Sequence, residues 1–92
     1  MLNLDVQNAV ESEIQELLIE SGADAVELTP QDELVELGLN SLMLARLIIQ
    51  LEMALGVDPF ADEVAVISDV RSVSDLVNAY ELAVANAANQ TV

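Results

Sequence analysis

The sequence contains no cysteine, no histidine and no tryptophan, and its only two basic residues are Arg46 and Arg71. Without cysteine there can be no disulfide framework and no thiolate zinc site. With histidine, cysteine and lysine all missing, the commonest general base and the most nucleophilic side chains are gone, so no catalytic residues are expected. Asp62 with Glu63, or Glu33 with Glu36, could be drawn as an acid and a base. A chain this acidic places carboxylates side by side by chance, however. Metal binding fares no better: Asp58, Asp62 and Glu63 do not have the spacing of a calcium loop, and no structured metal site is expected.

Against the two arginines stand 17 aspartates and glutamates, a formal net charge of -15. Neutralising phosphates needs a basic surface, so nucleic acid is not an expected partner, and neither is an anionic membrane. Partners should instead carry basic docking surfaces, with opposite fields speeding encounter. Self-repulsion should weaken the fold at low ionic strength and be relieved by salt. No apolar run approaches a membrane span, and residues 1–5 lack the basic start and long apolar stretch of a secretory signal. A cytoplasmic monomer is the resulting expectation.

What is present is a chain of 92 residues, 53% hydrophobic, enough for one domain over residues 1–92 with a single modest core. Residues 5–20 read as a first helix, with Asp5 as N-cap and Val6, Ala9, Val10, Ile14, Leu17 and Leu18 as its apolar stripe. Gly22 stops it. A long loop follows, in which Thr29-Pro30-Gln31-Asp32 suggests a single capped turn. Val26, Leu28, Leu34, Leu37 and Leu39 are placed to tuck that loop against the rest.

Residues 41–55 form the second helix, with Leu44, Leu47, Ile48, Leu51 and Leu55 on its core side and Ala54 on the same period. Gly56 ends it, and Phe60 can be buried from the turn after it. Residues 62–68 have strand-like propensity at Val64, Val66 and Ile67, but a lone strand would have no partner, so a short helical turn is expected. The last helix starts at Ser72 or Ser74, where Ser72 and Asp75 fit a capping box with Asp in place of Glu. Val73, Leu76, Val77, Tyr80, Ala83, Val84 and Ala87 are its stripe. The fold class is thus all-α: a small four-helix bundle of three longer helices and one short one, with a long loop between the first two.

The second helix is preceded by Glu36-Leu37-Gly38-Leu39-Asn40-Ser41-Leu42, a glycine breaker and then an Asn-Ser pair suited to capping. A hydroxyl therefore sits where loop becomes helix, at the positive end of the helix dipole. On spacing alone Ser41 could simply cap the helix. Leu42, Met43 and Ile49 fall outside the core stripe, which leaves apolar side chains exposed near one end unless they widen the buried face.

Taken together, Leu37-Gly38, Ser41-Leu42 and the Leu47 and Leu51 behind them resemble the Leu-Gly-x-x-Ser-Leu signature of acyl and peptidyl carrier proteins. The order of elements agrees along nearly the whole chain. The resemblance implies that Ser41 carries 4'-phosphopantetheine, on which an acyl or aminoacyl intermediate is held as a thioester. It implies delivery to partner enzymes in polyketide or nonribosomal-peptide biosynthesis. The expected partners are a phosphopantetheinyl transferase, an acyl- or amino-acid-loading enzyme, and an acyltransferase, ketosynthase or condensation enzyme. In this family the second helix is the recognition helix, which makes Asn40, Leu42, Met43, Arg46, Ile49 and Glu52 the partner-facing candidates. Two positions depart from the fatty-acid type: Asn40 replaces an Asp before the Ser, and Arg46 replaces an acid. These departures speak against the fatty-acid role: the run through Arg46 resembles peptidyl carriers, the strong acidity resembles freestanding acyl carriers, and a dedicated natural-product carrier is the expectation. The alternative is an acidic helical interaction module with no prosthetic group, which would have no use for an exposed hydroxyl at Ser41.

Overall fold

The computed structural model describes residues 5–22, 24, 27–61 and 65–89, with side chains described as far as residue 87. The described residues form three α-helices: α1 (Val6–Glu20), α2 (Ser41–Leu55) and α3 (Val73–Asn89). Of the short helical turn expected over residues 62–68, the described part holds a single 3-10 turn at Ile67–Asp69. The described residues contain no strand, only an isolated antiparallel bridge between Glu33 and Ser72. Val26, Val64, and the carboxylate pair Asp62 and Glu63 lie outside the described residues.

Each helix forms where its ends are chemically marked. Asp5 caps α1, its side chain accepting from the Asn8 amide at 3.0 Å. Gly56 ends α2 in the left-handed conformation, φ 76°, and donates its amide to the Glu52 carbonyl at 2.7 Å. At α3 the capping box is complete. Ser72 Oγ accepts from the Asp75 amide, while Asp75 Oδ2 accepts from the amides of Ser72 and Arg71. Those two donors, Arg71 first, hold the Asp75 carboxyl below its usual range.

The core follows the helical period. Val6, Val10, Ile14, Leu17 and Leu18 of α1 are buried together with Leu47, Leu51 and Leu55 of α2 and Val73, Leu76, Val77 and Tyr80 of α3. Each fully buried side chain of this kind contributes about 1.5–3 kcal/mol relative to exposure. Leu44 and Ile48 are half-buried, whereas Ala54 and Ala87 are exposed. α1 is the element on which the other two helices pack. α2 and α3 are joined by Tyr80, whose hydroxyl donates to the Ile48 carbonyl at 3.3 Å. Phe60 meets the Tyr80 ring edge-on, with centroids 6.1 Å apart. Burial, with the charges of Asp58 and Glu52 adding to it, pushes the Tyr80 phenol well above its ordinary value.

The long linker before α2 is built rather than loose. Thr29 to Asp32 closes as a turn, not a helical segment, through Asp32 N to Thr29 O and Thr29 N to Asp32 Oδ2. Three backbone bonds then stitch the linker to the start of α3: Leu34 N to Arg71 O, Val73 N to Asp32 O and Ser74 N to Pro30 O. Leu34 and Leu39 are buried in the common core, and Leu28 and Leu37 pack against it.

Candidate functional site

Residues 33–39 fix where α2 begins. Leu37 N bonds to Glu33 O, Gly38 N to Val35 O and Leu39 N to Leu34 O, the paired bonds of a Schellman turn with Gly38 at its left-handed position. Gly38 has φ 100°, a conformation that a side chain would strain. The apolar contact expected of this motif is made by Leu34 and Leu39, both buried. A short helical turn is thus stopped firmly, and its last residue is pinned in the core. The next residue, Asn40, is extended and exposed.

Asn40 then takes the cap: its Oδ1 accepts from the Met43 amide at 2.9 Å, and its carbonyl accepts from the Leu44 amide at 2.9 Å. Ser41 is the first helical residue rather than the cap. It is exposed, and its hydroxyl makes no hydrogen bond with a described residue. The amides of Ser41 and Leu42 likewise have no acceptor among the described residues. An unpaired hydroxyl beside two free amides at the positive end of a helix suits a phosphate ester, because developing or resident negative charge there is favoured.

The rest of α2 sorts the partner-facing candidates. Leu42 is 72% and Ile49 56% exposed, and Arg46 and Glu52 are also on the surface. Met43 is half-buried and packs against the core, so it widens the buried stripe and leaves only part of its side chain on the surface. Met53, 78% exposed, was not among the candidates. The steps of four, three and four from Leu42 through Arg46 and Ile49 to Met53 could have found it, since they trace one helix face. Arg46 is tied across to α1, its guanidinium donating to both carboxylate oxygens of Glu20 at 3.1 and 3.4 Å.

No three acidic groups converge to hold a metal among the described residues, and no helix there is long and apolar enough to cross a membrane.

Known proteins bear on the same region. The family described as the phosphopantetheine attachment site matches residues 9–79. The solution structure of MacpD, an acyl carrier protein from Pseudomonas fluorescens involved in mupirocin biosynthesis, is similar with a TM-score of 0.72 and 40% identity. That similarity covers 95% of this chain and 71% of MacpD. No curated protein matches the chain. With the family matched across most of its length, on a fold shared with an acyl carrier protein, the chain belongs to the phosphopantetheine-attachment family: it is a carrier protein, not an enzyme, and 4'-phosphopantetheine is its prosthetic group.

Proposed function

We propose that Ser41 is the attachment residue and that residues 1–92 act as one carrier domain for an acyl intermediate in polyketide-type biosynthesis. The observation that carries this is the division of labour at the start of α2, where Asn40 caps and Ser41 is left exposed with a free hydroxyl. The prosthetic group supplies a terminal thiol on a flexible arm, which holds the intermediate as a thioester.

The chain's own residues root and display that arm. The buried pair Leu34 and Leu39 holds the preceding turn in the core, so the point of attachment does not wander. The free amides and dipole of α2 favour the negative charge of the ester by about 0.3–1 kcal/mol. No carboxylate hydrogen-bonds to the Ser41 hydroxyl among the described residues, and we assign the base that takes its proton to the transferase.

Carriers of this family work with a phosphopantetheinyl transferase and with biosynthetic enzymes. We read Leu42, Arg46, Ile49 and Met53 as the face presented to them, with Asn40 and Glu52 at its margins. The exposed apolar side chains give the contact area, and the net charge of -15 favours basic docking surfaces on the loading enzyme and on the acyltransferase, ketosynthase or condensation enzyme that follows. Likeness to an acyl carrier protein favours acyl over aminoacyl cargo. The same reading makes the chain a cytoplasmic monomer, which cell fractionation and sedimentation would check.

The deciding experiment is an intact mass after incubation with coenzyme A and a promiscuous phosphopantetheinyl transferase. The wild type should gain one phosphopantetheine, and Ser41→Ala should gain none. In the same assay Leu42→Glu and Ile49→Glu should slow loading by about tenfold, equivalent to about 1.4 kcal/mol. Loading rates equal to wild type in both would remove this face from the interface.

A further inference from the structure

A groove of about 330 Å³ opens beside Ser41. Its lining includes apolar side chains from the linker (Leu34, Leu39), from α2 (Leu44) and from the segment before α3 (Val70), and both Ser41 and Arg71 border it. We propose that Arg71 receives the phosphodiester joined to Ser41 and so draws the first part of the arm into this groove. The proposal rests on the assignment of Ser41 above.

The chain has two cations against 17 acids, and Arg46 is committed to Glu20. The Arg71 guanidinium makes no hydrogen bond or ion pair with a described residue. Its charge acts on Asp75, but no hydrogen-bond or ion-pair partner among the described residues occupies its donors, and a planar guanidinium matches a phosphate in shape as well as in charge.

The Arg71 backbone is held at both ends, its amide by Asp75 Oδ2 at 3.0 Å and its carbonyl by the Leu34 amide at 2.9 Å. A long side chain thus starts from a fixed point on the rim that Ser41 shares. Beyond the phosphate, pantetheine carries a carbon with two methyl groups, and the apolar lining offers these a place out of water. Glu33 borders the same groove and opposes an anion, so Arg71 must offset it. Leu42, Ile49 and Met53 do not line the groove, so an arm lying there leaves the partner-facing side of α2 uncovered.

The test compares apo and holo forms of wild type, Arg71→Gln, Arg71→Lys and Glu33→Gln by intact mass, phosphorus NMR and proton–nitrogen amide spectra. In the wild type, loading should shift the amides of Leu34, Val35, Val70 and Arg71 as well as those of the first turn of α2. Arg71→Gln should lose the shifts at Leu34, Val35 and Val70 and move the phosphorus resonance to its position in the denatured holo protein. Arg71→Lys should restore part of both, and Glu33→Gln should enlarge them. Shifts confined to residues 40–44, or a phosphorus resonance identical in wild type and Arg71→Gln, would overturn the proposal. Should Arg71→Gln fail to fold, unchanged shifts in Glu33→Gln would overturn it equally. Absence of any mass gain in the wild type would overturn the Ser41 assignment and this proposal with it, whereas full mass gain with shifts confined to the first turn removes this proposal alone.

Discussion

At the scale of single residues, the neighbours Asn40 and Ser41 divide two roles that the sequence leaves undivided. Both are good N-caps, so composition cannot say which one takes the position. The frame is set upstream: Gly38 stops the preceding turn and Leu39 is pinned in the core, which leaves Asn40 to cap. Asn40→Ala should therefore cost about 1 kcal/mol in urea denaturation, the usual value of a lost cap. Ser41→Ala should leave stability unchanged within about 0.5 kcal/mol, as an exposed substitution without partners does. The reverse ranking would make Ser41 the cap. The motif around Ser41 was legible because its residues are contiguous. The exposure of Met53 and the partial burial of Met43 were not, because a helix as apolar as α2 has no polar side to set the boundary of its buried stripe.

At the scale of elements, all three helices were legible within a residue or two, since caps and period act locally. In the linker the turn at Thr29–Asp32 and the inward tuck of Leu28, Leu34, Leu37 and Leu39 were legible, but its pairing with the start of α3 was not. The bonds from Leu34, Val73 and Ser74 join residues far apart in the chain, and no local propensity encodes such pairing. Asp75 sits at the centre of this junction. Its folded pKa lies below the ordinary value of 3.8, so its contribution to stability is present above that pH and is lost as pH falls through the folded value. Asp75→Asn should lower stability at neutral pH by about 1 kcal/mol, and the difference from wild type should close in acid. Urea denaturation across a pH series would check it, and a difference that persists undiminished at low pH would deny Asp75 this role. Because the box also fixes Arg71, loosening it should disturb the linker ahead of α2 as well as the first turn of α3.

At the scale of the whole molecule, charge is the dominant fact. Burial, and the charge of Glu16 beside it, raise the Glu13 carboxyl above its ordinary value of 4.5. A raised carboxyl gives its full stabilisation below that value and loses it as pH rises through the folded one, opposite in sign to Asp75. With a net charge of -15 and Arg46–Glu20 as the ion pair among the described residues, added salt should raise the melting temperature. A domain of this size moves by roughly 4–8 °C per kcal/mol, so even modest screening is measurable by circular dichroism. A melting temperature indifferent to salt would mean the acids are already well dispersed. The same molecule is almost colourless to the spectroscopist. It has no indole and a single phenol, and that phenol is buried at the seam between α2 and α3. Tyr80 is therefore a native fluorophore with one address, and any event that prises α2 from α3 should change its emission without a label being attached.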